Sequence, residues 1–194
     1  MPAKILENPK AQSLTSCVAG KKIAMVIAFQ DFQDEECFIP RSIFLEQGAM
    51  VKIVSDEKGE AVGVFGGAIN VDLVFDELNV SDFDAIIFVG GGGAAKYIEN
   101  DKCHCVARSA ISENKILGAI CIAPAILARA GVLKNKKATA WSSSMDKSIV
   151  KILKNEGAIY QDDAVVVDEK IITANGPQSA RQFAQAIVGK FKQN

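Results

Sequence analysis

Ile116-Leu-Gly-Ala-Ile-Cys121-Ile-Ala-Pro124-Ala-Ile-Leu-Ala-Arg-Ala130 is the stretch that decides the fold. Ile116 to Ile120 is apolar without alternation, as expected of a strand covered on both faces in a parallel sheet. Ile122 to Ala130 reads as a helix, with Pro124 near its first position, where the missing N–H costs nothing. Strand and helix meet at Cys121, and Gly118, Ala119 and Ala123 keep the turn narrow. The arrangement follows the logic of a nucleophile elbow with Cys in place of Ser.

Working outward, Lys22-Ile-Ala-Met-Val-Ile-Ala28 and Asp84 to Val89 are further buried strands, the second running into Gly90-Gly91-Gly92-Gly93. Glu36 to Gln47 reads as a helix with acids at its start, Pro40 in the first turn and Gly48 as its stop. Met50 to Val54 is a strand, and 61–73 a hairpin turning at Gly66-Gly67. Asp101 to Asn114 carries an apolar stripe of Cys103, Val106, Ala107, Ala110 and Ile111. Met145 to Asn155 is expected to be helical, Ala164 to Val167 and Ile171 to Ala174 to form a hairpin, and Gln178 to Phe191 to close the chain as a helix. Alternating strands and helices imply a doubly wound, mostly parallel α/β sheet sandwiched by helices. Residues 1–20 read as a polar N-terminal arm and 21–194 as a single domain.

Bulk composition narrows the function. The chain has 194 residues, 49% hydrophobic and 23% charged, with a net charge of −1, so no basic field draws it to nucleic acid or a membrane surface. Its longest apolar runs are too short to span a bilayer, and no secretory signal is visible at the start. Five cysteines, an odd number without scaffold spacing, point to reduced thiols in the cytoplasm.

Ligands of such sheets bind beyond the carboxyl ends of the strands, and Cys121 and the glycine run both lie there. At Cys121 the following helix offers free N–H groups and its positive end, which predicts a thiol pKa below the usual ~8.5. Cys17 lies in the arm, Cys103 on a core stripe, and Cys37 and Cys105 are mid-helix without an evident activating partner. Gly90 to Gly93 offer N–H groups for an anion or oxyanion pocket. The Gly-x-Gly-x-x-Ala spacing of Gly90, Gly92 and Ala95 is not a dinucleotide loop, because it does not follow the first strand and no acid ends the next strand about 20 residues on. Asp34-Glu35-Glu36 are either dipole-compensating acids at a helix start or a source of one carboxyl aimed at Cys121. His104 is expected to be a solvated or interface helix residue, and Cys103-His104-Cys105 diverge too much to hold a metal.

Together Glu35-Glu36-Cys37-Phe38-Ile39-Pro40, the glycine run, Ala119-Ile120-Cys121-Ile122-Ala123-Pro124 and Ile172-Thr173-Ala174-Asn175-Gly176-Pro177 resemble the DJ-one/ThiJ/PfpI superfamily over about residues 20 to 192. The resemblance implies a flavodoxin-like fold, a homodimer or higher homo-oligomer, and a reactive Cys121 whose sulfur is hydrogen-bonded by Glu36. It places oxyanion donors at the backbone of Ile122 and within Gly91-Gly92, and implies ready oxidation of the thiol. Two departures stand out: Ile122 follows the cysteine where protease-like members carry His, and Trp141, a candidate pocket wall, stands where other members place one. The expected function is a cofactor-free cysteine enzyme acting on a small electrophile, of the glyoxalase, deglycase or hydratase kind. The alternatives are a redox sensor or stress-protective protein with an oxidant as its partner, and an intracellular peptidase or amidase, which the missing histidines disfavour.

Overall fold

Twelve strands and five α-helices follow one another through residues 18 to 193, the part of the chain that the computed structural model describes. In chain order they are β1 (Lys22–Val26), β2 (Gln30–Phe32), α1 (Asp34–Glu46), β3 (Met50–Ser55), β4 (Glu60–Gly63), β5 (Ala68–Asn70), β6 (Leu73–Val74) and β7 (Ala85–Phe88). Then come α2 (Asp101–Ser112), β8 (Ile116–Ile120), α3 (Pro124–Arg129), β9 (Lys137–Ala138), α4 (Ser148–Asn155), β10 (Ile159–Tyr160), β11 (Val165–Asp168), β12 (Ile171–Ala174) and α5 (Ala180–Phe191).

Seven strands form the central sheet in the order β11-β12-β8-β7-β1-β3-β6. Every pairing is parallel except that of β11 with β12. Without the two edge strands the order is second-first-third-fourth-fifth, the flavodoxin-like arrangement. Alternate residues of the inner strands supply two separate cores. Ile23, Met25, Ile87 and Ile120 pack with Phe44, Phe183 and Ile187 from the layer of α1 and α5. Ala24, Val26, Ile86, Phe88 and Leu117 pack with Cys103, Ala107 and Ile126 from the layer of α2 and α3. Burial on both faces is why these strands carry no polar alternation.

Two smaller sheets flank the main one. β2 pairs parallel with β4, which turns back antiparallel onto β5, and β9 pairs parallel with β10. No helix among the described residues is long and apolar enough to cross a membrane.

Several expected boundaries move. The arm expected over 1–20 lies largely outside the described residues, but Val18 is buried and Gly20 donates to the Gly48 carbonyl at 3.0 Å, so the fold begins earlier. The helix expected from Met145 starts at Ser148. Ser143 Oγ accepts from the N–H groups of Met145 and Asp146, and Asp146 accepts from that of Ser148, local bonds that compete with a helical turn. The helix expected from Ile122 begins at Pro124, because the two residues before it complete the turn out of β8. The strands β2, β6, β9 and β10 are two or three residues long and show no periodicity to detect.

Gly118 lies where the sheet packs closely against α5. A Cβ there would stand 2.8 Å from Ile87 Cδ1 and 2.9 Å from Phe183 Cζ. Gly118→Ala is therefore expected to cost about 1–3 kcal/mol through overpacking, read as a lower urea midpoint at unchanged slope.

Candidate functional site

Cys121 has φ +65°, in the left-handed region that side chains other than glycine rarely occupy. Such a conformation costs of order 1–3 kcal/mol and persists only where the surroundings over-determine it. Here its N–H donates to the Ala174 carbonyl at the end of β12 (2.9 Å), and its own carbonyl accepts from Trp141 N–H (2.8 Å). The residue is left 9% exposed, in the turn between β8 and α3.

Facing it is Glu36, a carboxyl in the first turn of α1 with no solvent exposure. Its Oε2 accepts from Gly90 N–H at 3.1 Å, and its side chain is in hydrogen-bonding contact with that of Cys121. Oε1 is buried without a partner of regular geometry. Gly90 is the hinge of this meeting. A Cβ built there would lie 2.6 Å from Cys121 Cβ and 2.7 Å from Glu36 Oε2, so only a residue without a side chain lets the two groups approach. The Gly90 carbonyl in turn accepts from Gln33 N–H (3.1 Å) just before α1, tying the two loops together.

The electrostatics follow from burial. Loss of hydration raises the Glu36 carboxyl to about 7, against 4.5 for a free one, although the Cys121 and Gly90 hydrogen bonds pull it down. Burial likewise pushes the Cys121 thiol up to about 12, and the nearby Glu36 carboxylate adds to the rise. The backbone N–H groups of Gly91 and Ile122, close to the sulfur, oppose it. This corrects the depressed value expected from the helix start: desolvation and the adjacent carboxylate outweigh two amides and a short helix. Burial also raises Cys37 and Cys103 to about 12, but no backbone donor opposes it at either sulfur. Cys121 is thus set apart by what surrounds its sulfur and not by a low pKa.

Of the expected site residues, the structure brings Cys121, Glu36, Gly91 and Ile122 together. Gly92 opens the 3-10 turn Gly92–Tyr97, and a Cβ on it would meet open space; the donors on the sulfur are Gly91 and Ile122. Trp141 is half-buried against both cores, holds the Cys121 carbonyl through its backbone, and lies near Gly176, whose built Cβ would be 3.6 Å from Trp141 Cδ1. Asp34 serves elsewhere, accepting from Phe65 N–H (2.9 Å) and Gly67 N–H (2.7 Å) at the tip of the β4–β5 hairpin. Glu35 is exposed and accepts from Gln33 Nε2. His104 is buried, contrary to expectation, with Nε2 2.7 Å from the Ile98 carbonyl just before α2. Gly90 was legible only as part of a glycine run. Its task depends on which loops lie over it.

These features settle the family. The model of the DJ-1/PfpI family matches residues 21–190. The chain belongs to the DJ-1/PfpI family. An uncharacterized protein of Methanocaldococcus jannaschii is 41% identical over 174 residues, covering 89% of this chain and 83% of that one. The deglycase PfpI of Pyrococcus furiosus is 35% identical over 168 residues, covering 87% of this chain and 98% of that one. Among solved structures, a ThiJ/PfpI domain protein from Brachyspira murdochii superposes with a TM-score of 0.86 at 32% identity, covering 91% of this chain and 99% of that one.

The raised Glu36 value has a consequence for stability in this DJ-1/PfpI chain. The folded state binds the proton more tightly than the unfolded state, so the carboxyl's contribution is complete below pH 4.5 and disappears as pH rises to about 7. The loss is about 3 kcal/mol. Glu36→Gln, with no proton to release, is expected to gain about that much on the wild type between pH 4 and pH 8 in urea titrations. A constant difference across that window would show that the carboxyl titrates normally.

Proposed function

We propose that this protein is a cofactor-free enzyme that uses Cys121 and Glu36 to transform a small α-oxoaldehyde or its early adduct with an amine. The observation that carries the proposal is a thiol held between a buried carboxyl on one side and the Gly91 and Ile122 N–H groups on the other. A carboxyl near 7 is matched to taking and returning protons at neutral pH. The deglycase name of the Pyrococcus furiosus relative is in keeping with this chemistry.

The thiol is protonated at rest, so it acts through an adjacent base. Cys121 Sγ adds to the aldehyde carbon, the C=O π pair moves to oxygen, and the thiol proton passes to Glu36. The amides of Gly91 and Ile122 stabilise the negative charge as it leaves the sulfur. Glu36 gives the thiol proton to the new alkoxide oxygen, takes the proton from the former aldehyde carbon and returns it to the neighbouring carbonyl carbon, while the hydroxyl proton passes to that carbon's oxygen, so one carbon is oxidised as the other is reduced. The resulting thioester is hydrolysed by water to a 2-hydroxy acid, so the balance needs no external oxidant or reductant.

One observation favours a second reading. The buried Glu36 Oε1 has no regular partner and is available to bond an oxygen added to the sulfur, as in a redox-sensing thiol. A peptidase is disfavoured because His104, the one histidine of the chain, is buried with its Nε2 engaged by the Ile98 carbonyl.

Methylglyoxal is the first substrate to try. Wild type is expected to consume it saturably with lactate as product, Cys121→Ser to lose activity completely, and Glu36→Gln to lose about 10²–10⁴-fold, the usual worth of a general base. Peroxide-dependent oxidation of Cys121 without any turnover of aldehyde would favour the redox reading instead.

A further inference from the structure

Gly91 follows Gly90, whose built Cβ would lie 2.6 Å from Cys121 Cβ, so the Gly91 N–H stands beside the sulfur, and the anchor of the turn that follows it stands at that turn's other end. The 3-10 turn Gly92–Tyr97 ends on a buried Tyr97 that lies against Phe75, with ring centroids 5.4 Å apart. Its hydroxyl donates to Asp56 Oδ1 (2.5 Å) and lies 3.2 Å from the Ile27 carbonyl just past β1. Ser55 at the end of β3 completes the cluster, donating to the Ile27 carbonyl at 2.9 Å. Lys96 pairs with the other oxygen of Asp56 at 2.6 Å. Burial would raise the Asp56 carboxyl, but the Lys96 and Tyr97 hydrogen bonds outweigh it and hold the group below the ordinary range, so it is a charged acceptor.

Between this anchor and the sulfur the backbone has little freedom. A Cβ at Gly91 would collide with Gln33 N, and one at Gly93 with the Gln30 carbonyl, so the run lies flat on residues 28–33. The turn is itself hydrogen-bonded, with Ala94 N–H donating to the Gly91 carbonyl at 3.1 Å. The turn between Tyr97 and Gly91 is thus pinned at Gly91 and Gly93 and bonded within itself.

We propose that Tyr97, fixed by Asp56 and the Ile27 carbonyl, is a positioning residue that aims the Gly91 amide at Cys121. It touches neither the sulfur nor a substrate and acts through the 91–97 turn. The inference rests on the part of the proposed function that places Gly91 at the sulfur, and does not require turnover.

The test is alkylation of Cys121 by iodoacetamide across pH, quantified on the Cys121 peptide by mass spectrometry. Tyr97→Phe is expected to raise the pH midpoint and slow alkylation about three- to tenfold at a fixed pH below it, a shift of up to one pKa unit. Asp56→Asn should move the profile the same way by less, and the double variant no further than Tyr97→Phe alone. Leu153→Ala, a core truncation on α4, supplies a loss of Tm without a change in profile. A Tyr97→Phe protein with lowered Tm but an unchanged profile would overturn the proposal; if that variant does not fold, an unchanged profile in Asp56→Asn does so. Wild type that alkylates normally yet leaves methylglyoxal untouched would defeat the enzyme proposal and not this one.

Discussion

Glu36 has to be kept out of water against a thiol, and the chain's topology is arranged around that contact. A carboxylate without hydration loses several kcal/mol, and one hydrogen bond from Gly90 offsets only part of it. The remainder appears as the carboxyl's raised affinity for a proton. Nothing local to α1 could impose this environment. It arises because β7 and β8 are parallel neighbours with Phe88 opposite Ala119, so that Gly90 and Cys121 emerge side by side two residues later. The loop after β1, on the other flank of β7, delivers the start of α1 over both.

The positive φ of Cys121 belongs to the same arrangement. Its backbone is held on one side by Ala174 and on the other by Trp141; the first is placed by the pairing of β12 with β8, the second by the segment after β9, which Thr139 N–H ties to Thr173 Oγ1 on β12. A cysteine in that conformation projects at the mouth of the strands, where the amides of Gly91 and Ile122 meet its sulfur. Cys37 and Cys103 are fully buried within helices, with their own N–H groups taken by the Gln33 carbonyl and by Asn100 Oδ1. What distinguishes Cys121 from the other buried thiols of this chain is therefore backbone conformation and not acidity.

The glycine run and the acids before α1 show how several duties are packed into short segments. Gly90 makes room for the Cys121–Glu36 contact, Gly91 supplies a donor, and Gly93 lets the turn lie on residues 28–33. Asp34 staples the β4–β5 hairpin while Glu36, two residues on, points inward. In a helix those two positions lie on different faces, so adjacent acids of similar appearance come to serve a hairpin and a reactive site.

The sequence by itself determined the architecture and the residue at its centre. Continuous apolar strands, helical stripes and the strand–cysteine–helix junction at 116–130 are local patterns, and local patterns survive without knowledge of what packs where. Cys121 could be singled out because residue type and position carried the signal, whereas Glu36 stood out from Asp34 and Glu35 only through the family resemblance. The sequence was mute on quantities that depend on distant segments meeting. The helix end beside the thiol is visible in sequence, while the desolvation and the facing carboxylate that raise its pKa are not. His104 reads as a surface residue until the Ile98 carbonyl turns towards it. Tyr97 is an ordinary aromatic until Asp56, Ser55 and Ile27 converge on its hydroxyl from two other strands. Those outcomes belong to tertiary structure because burial and hydrogen bonding between segments far apart in the chain are fixed only when the strands take their places in the sheet.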